Sequence, residues 1–266
     1  KKGKKGKGIG VTFSSSITAG TVDKETLPKY QDKYGAGYGP YYDDPSGYFS
    51  YFDINGDSVD DLVVPFTEDA SYGAAFDPNL NVYQWNSIYP ELPGYLQATP
   101  WVAAKNTPNS VFQTALTYTN SVSFGKSTDQ GDFRIGFTNK IQNGVMPNSE
   151  IKRNTLTFAG SHNFTDKLKG SVDFSYINNN GKGRNGTGYD SRNPMQAFRE
   201  WWQVNVDVQE QKDAFFSTGQ NITWNVNSYD NRTPIYTDNV YWTLYKNFQN
   251  DKRDRYVGNF TLNQEV

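Results

Sequence analysis

The sequence predicts an all-β fold, a transmembrane antiparallel β-barrel with long extracellular loops, and three observations lead to it. Six segments alternate apolar and polar side chains with a period of two, as strands do when their faces meet different surroundings. The connections between them alternate long and short. No uninterrupted apolar run approaches the ~18 residues of a membrane helix, which excludes helical spanning and leaves spanning by strands.

The chain opens on Lys1-Lys2-Gly3-Lys4-Lys5-Gly6-Lys7-Gly8 rather than on Met or an apolar leader, so it is expected to begin inside a longer protein. The run is too poorly matched for a phosphate-binding loop, because Ile9 stands where that motif requires Lys. It reads instead as a solvated basic linker. In the first strand Ile9, Val11 and Phe13 oppose Gly10, Thr12 and Ser14. In the second, Leu116, Tyr118, Val122 and Phe124 oppose Thr117, Thr119, Ser121 and Ser123, and in the third Phe133, Ile135 and Phe137 oppose Arg134, Gly136 and Thr138. The fourth sets Leu156, Phe158, Gly160, His162 and Phe164 against Thr155, Thr157, Ala159, Ser161 and Asn163. The fifth sets Leu168, Val172, Phe174 and Tyr176 against Lys169, Ser171, Asp173 and Ser175. The last sets Tyr256, Phe260 and Leu262 against Val257, Asn259 and Thr261.

Long connections are expected at about 20–111, 142–152 and 180–254, and tight turns near 126–131 and 165–167. Such segregation suits an outer-membrane barrel, whose turns are short on one side and whose loops are long on the other. A secreted β-sandwich with large insertions is the competing fold. Apolar residues at 35%, aromatics at 16% and a net charge of −2 argue for a chain that folds.

Chemistry is narrowed by what is missing. With no Cys, disulfide frameworks, thiolate zinc sites and thiol catalysis are excluded, and a single histidine, His162, excludes His-based triads and multi-His metal sites within this chain. No spacing defines a carboxylate pair for glycoside hydrolysis, so no enzyme is expected. All six Trp fall in the two longest connections. Trp85, Trp101, Trp201, Trp202 and Trp242 are candidate ligand contacts, since such rings stack on sugar faces, with packing inside the loops as the alternative use.

Asn193, Pro194 and Gln196 form a helix start, and Phe198, Trp201 and Trp202 at i, i+3 and i+4 form an aromatic stripe suited to anchoring on a barrel rim. Asp53, Asn55, Asp57 and Asp61 occupy positions one, three, five and nine of a calcium-loop spacing. Ser58 replaces the turn glycine and Val64 the bidentate Glu, so a loose Ca²⁺ site is the expectation, against a solvated acidic turn.

Several strings, in order, carry a family resemblance: the basic opening run into a first strand, Thr99-Pro100-Trp101, and Gly144-Val145-Met146-Pro147-Asn148-Ser149 through Arg153-Asn154-Thr155-Leu156. They continue with Gly183-Arg184-Asn185-Gly186-Thr187-Gly188-Tyr189-Asp190, Asn193-Pro194-Met195-Gln196, Trp201-Trp202-Gln203 and Tyr241-Trp242-Thr243-Leu244-Tyr245. Over nearly its whole length the chain resembles the SusC/RagA family of TonB-dependent outer-membrane transporters. The resemblance implies a 22-stranded barrel closed by an N-terminal plug, with residues 1–8 as the end of the plug and 9–266 as the first six strands and their loops. It implies a Gram-negative outer-membrane location and active import of a large nutrient, an oligosaccharide or a peptide. The implied partners are a SusD-like surface lipoprotein acting as lid, the TonB-ExbB-ExbD energising complex and outer-membrane lipid, with no nucleic acid and no required cofactor. A passive porin or adhesin-type barrel, and a secreted glycan- or calcium-binding β-protein, are the alternatives.

Overall fold

A computed structural model describes residues 8–266, so the expected plug segment lies, except for Gly8, outside the described residues. In chain order the first five strands are β1 (Gly10–Gly20), β2 (Ser50–Phe52), β3 (Asp61–Val63), β4 (Asp77–Tyr83) and β5 (Ala98–Trp101). The next four are β6 (Ala115–Ser127), β7 (Gly131–Asn143), β8 (Glu150–Asn163) and β9 (Leu168–Arg184). Three helices follow, α1 (Pro194–Glu200), α2 (Val208–Thr218) and α3 (Val240–Lys246), and then β10 (Gln249–Gln264). The chain divides into two compact units, one of residues 8–22, 113–184 and 249–266, the other of residues 23–112 and 185–248.

The first unit is a six-stranded antiparallel sheet in the order β1-β6-β7-β8-β9-β10. All six alternating segments are strands of this one sheet. Residues directly opposite each other share a face, so the pairings define rungs across all six strands. One rung is Val11, Phe124, Ile135, Phe158, Phe174 and Gly258, and the next on that face is Phe13, Val122, Phe137, Leu156, Tyr176 and Tyr256. The opposite face carries Thr12, Ser123, Gly136, Thr157, Ser175 and Val257, then Ser14, Ser121, Thr138, Thr155, Ile177 and Arg255. Nothing among the described residues covers the apolar face: Phe13 is 71% exposed and Phe260 69%.

The apolar face is interrupted by a rung that the alternation did not predict: Ser15, Asn120, Asn139, Asn154, Asn178 and Asp254. These side chains bond one another in pairs. Ser15 Oγ donates to Asn120 Oδ1 at 2.6 Å, Asn139 Nδ2 to Asn154 Oδ1 at 2.8 Å, and Asn178 Nδ2 to Asp254 Oδ1 at 2.7 Å. Pairing across the strands meets part of the hydrogen-bonding demand of these groups on an otherwise apolar surface.

Connections differ from expectation at one place. The segment expected as a long loop at 142–152 is a six-residue turn, 144–149, because β7 and β8 pair out to Asn143↔Glu150. Gly144 N–H donates to the Ser149 carbonyl at 2.9 Å, and Ser149 Oγ donates to the Met146 carbonyl at 2.6 Å, which closes the turn. The two tight turns stand as expected, with Thr128 N–H donating to the Gly131 carbonyl and Phe164 N–H to the Leu168 carbonyl. Both long connections and the 144–149 turn leave the sheet at the end marked by Gly20↔Ala115, Asn143↔Glu150 and Gln249↔Arg184.

The second unit holds what the sequence reading described as two loops. It contains a small sheet in the order β2-β3-β4-β5 and all three helices. The core of buried aliphatic and aromatic side chains lies here, with Phe49, Val63, Val64, Val82, Trp85, Trp101, Phe198, Trp202, Trp224 and Leu244 in it. A segment that buries its own aromatics this way has a core of its own. The helix expected from Asn193 is α1, with the Asn193 side chain accepting from Met195 N–H and Pro194 at the first turn. It ends at Glu200, so Trp201 is its C-cap and the expected stripe is broken. Instead of anchoring on a rim, Phe198 and Trp202 meet edge-on at 5.5 Å, and Trp202 meets Trp224 at 5.5 Å, inside this unit's core. Helix α2 is stopped by Gly219 at φ 69°, and α3 is started by Asn239, whose side chain accepts from the N–H groups of Tyr241 and Trp242.

Candidate ligand cleft

The second unit contains a cleft of about 670 Å³ whose walls come from four places in the sequence: Tyr38, residues 67–69, the stretch from Tyr189 to Trp201 that includes α1, and residues 235–237. Asn225 holds two of these walls together. Its side chain is fully buried; Nδ2 donates to the carbonyl of Phe66 at 3.1 Å, and Oδ1 accepts from the N–H groups of Tyr236 at 2.9 Å and Thr237 at 3.2 Å. Gln203, also fully buried, secures the first wall by donating to the carbonyls of Pro65 at 3.0 Å and Glu68 at 2.8 Å. Asn225→Ala is expected to cost about 2–4 kcal/mol, because two buried amide donors and an acceptor lose their partner at once. Chemical denaturation followed by Trp fluorescence reads this, and a midpoint within error of the parent chain would refute the clamp.

The cleft's surface combines rings with carboxylates. Tyr38, Tyr189, Trp201 and Tyr236 supply aromatic faces, and Glu68, Asp69 and Asp190 supply carboxylates. Tyr38 OH donates to Asp69 Oδ1 at 2.7 Å. Burial, then the Asp69 hydrogen bond and the Asp69 and Glu68 charges, hold the Tyr38 phenol protonated well above its ordinary range. The Tyr42 phenol is likewise pushed up, by burial first and then by the neighbouring Glu68. Asp190 is paired with Arg192 through contacts of 2.8 and 3.1 Å, and the guanidinium's hydrogen bonds keep that carboxyl below the usual range. Trp201 Nε1 is buried without an acceptor.

The five candidate tryptophans therefore separate. Trp85, Trp101 and Trp202 are core residues, Trp242 is half-buried on α3, and Trp201 lines the cleft. Sequence reasoning missed Tyr38, Glu68, Asp69, Tyr236 and the clamp Asn225. The Glu68-Asp69 pair is a visible acidic spot, but nothing in the sequence sets it opposite Tyr236, more than 160 residues away along the chain.

The acidic turn folds on its own backbone. Asp53 Oδ1 accepts from Gly56 N–H at 2.6 Å and Asp57 N–H at 3.1 Å, and Oδ2 from Ser58 N–H at 2.8 Å. These bonds, Ser58's foremost, hold the Asp53 carboxyl below its usual range. Asn55 Oδ1 accepts from Asp57 N–H, Asp57 Oδ1 from Val59 N–H, and Asp61 Oδ2 from Ile54 N–H. Among the described residues no group of three or more His, Cys, Asp or Glu gathers as metal ligands would. These oxygens keep further lone pairs beyond the bonds to the backbone, so calorimetric titration of calcium decides between the loose site and the solvated turn: one-site saturation would show Ca²⁺ bound, and no saturable heat would leave the turn alone.

On the sheet, a polar groove of about 470 Å³ runs over Ser14, Ser121, Arg134, Thr138, Thr157 and Asp173. No protein-family model matches this chain, and no curated protein does.

Proposed function

We propose that this chain is the first part of a plugged outer-membrane barrel that actively imports a large nutrient, an oligosaccharide or a peptide. In this reading it works with a SusD-like surface lipoprotein as lid and is driven through the TonB-ExbB-ExbD complex. The six-stranded sheet is the observation that carries the reading. It keeps an apolar face open, a polar face opposite, and no buried core of its own. In water such a face is a liability; in lipid it is what the surroundings require. The apolar stretch also reaches further on β1, to Ile17, than on β10, where Tyr256 is followed by the polar Asp254 and Lys252 levels. A stagger of this kind is what strands tilted by ~35–45° produce when the band lies in the membrane plane.

The two free edges support the same reading. Among the described residues β1 and β10 each pair on one side, and a sheet with open edges cannot sit in hydrocarbon, where each unpaired backbone group costs several kcal/mol. Further strands of a longer chain would close it, and a barrel of that width needs a plug to avoid leaking. The cleft in the second unit would then meet cargo. The deciding experiment fractionates the parent protein in its native cells and identifies what is extracted with it. Recovery in the outer membrane with a large lipoprotein, and uptake that is lost when TonB is deleted, is the expected result. Uptake indifferent to TonB would make the barrel a passive one, and recovery in the secreted fraction would replace the barrel with a soluble binding protein.

A further inference from the structure

We infer that the cleft between Glu68-Asp69 and Tyr236 recognises a positively charged group, an ammonium or guanidinium, carried by the ligand. The inference deepens the transport reading, on which it rests only for the ligand's being cargo. Of the three carboxylates, Asp190 is neutralised by Arg192. Glu68 and Asp69 have no cationic partner among the described residues, and no Lys or Arg lines the cleft. Tyr38 OH donates to Asp69 and Tyr42 neighbours Glu68; both phenols are neutral and stay so, since both are pushed well above the ordinary phenol range.

Two adjacent anions facing a half-enclosed space repel each other, and a cation entering that space removes the repulsion. The rings act in the same direction. Tyr236 and Tyr189 are 66% and 83% exposed, unlike the tyrosines of the core, and with Tyr38 they line the cleft, where an aromatic ring beside a cation attracts it. Trp201 adds a further ring to the lining. A neutral sugar would use the rings but leave both carboxylates uncompensated. An amino sugar or a Lys- or Arg-bearing peptide uses both.

The test is calorimetric titration of the full-length protein in detergent with four probes: a glucosamine tetramer, its N-acetylated counterpart, an end-capped Gly-Gly-Lys-Gly-Gly peptide and the same peptide acetylated on the lysine. One charged probe is expected to bind at least about tenfold tighter than its acetylated partner, and which pair shows the difference names the source. The preference is expected to vanish in the double variant Glu68→Gln, Asp69→Asn, whose backbone contacts are untouched. Tyr236→Ala, which keeps the N–H bonded to Asn225, is expected to weaken it. Equal binding of charged and acetylated probes, no binding by any probe, or a preference that survives the double variant would overturn the inference. A protein that fractionates as secreted yet keeps the charge preference would sink the transporter and leave the cleft assignment standing. Outer-membrane recovery without the preference would do the reverse.

Discussion

Leu156→Arg is expected to abolish accumulation in the outer membrane, while Thr157→Arg, one residue along the same strand, is expected to leave it near the parent level. Leu156 lies on the apolar face of β8, in the rung with Phe13, Val122, Phe137, Tyr176 and Tyr256. In a bilayer an arginine near the midplane of a barrel's lipid face costs about 2–4 kcal/mol, because the guanidinium must be dragged from water or drag water with it. Thr157 points the other way, beside Ser123, Gly136 and Ser175 on the face bearing the polar groove, where an arginine stays hydrated. Quantifying the parent protein in extracted outer membranes reads both variants. The adjacent pair is a sharp control, since the two changes are equal in size and charge and differ only in the face they reach. Equal tolerance of both would mean that the apolar face does not meet lipid.

Trp101→Ala is expected to unfold the second unit and leave the six-stranded sheet unaffected. Trp101 is fully buried, meets Phe49 edge-on at 5.1 Å and Phe76 at 5.2 Å, and donates its indole N–H to the Ala74 carbonyl at 3.3 Å. Gly35 lies against the same ring, so closely that a Cβ there would collide with it. Removing the indole costs about 3–5 kcal/mol through lost contacts and the cavity left behind. Limited proteolysis should then cut within residues 23–112 and 185–248 while the sheet segments stay protected. Resistance equal to the parent's would show that the ring is not central to that core. Since Trp101 does not line the cleft, loss of charge-selective binding in this variant would reflect unfolding, which the proteolysis pattern exposes.

The strands were legible because their signal is local and strong. Side chains two apart face the same way, so Phe133, Ile135 and Phe137 announce a strand whatever lies beside it. The turns at 128–130 and 164–167 were legible for the same reason. The polar rung was not, because Asn120, Asn139, Asn154 and Asn178 look like single interruptions until the register sets them side by side. The connection at 144–149 was overestimated because Gln142, Asn143 and Glu150 are poor strand residues on their own, and only the pairing of β7 with β8 extends the ladder through them. The capping of α1 was correct from Asn193 and Pro194, but its end was not. Trp201 continues the 3.6-residue period in sequence and departs from the helix in space.

The site followed the same division. That tryptophans in the long connections matter was evident from their placement, but which of them is wall and which is core depended on packing: Trp201 lines the cleft, while Trp85, Trp101 and Trp202 are enclosed by residues from distant segments. The oxygens of Asp53 had the spacing of a cation loop, and the structure gives them to the backbone N–H groups of residues 56–58. By itself the sequence determined the all-β strands, their two unlike faces and the absence of thiol and multi-histidine chemistry, because each of these depends on residue identity and short-range period alone. Only the tertiary structure decided that the two long connections fold together into one cored unit, and that Tyr38, Glu68, Asp69, Trp201 and Tyr236 share one cleft. Those residues lie up to 198 positions apart, from Tyr38 to Tyr236, and closure over such distances leaves no periodic trace in the chain.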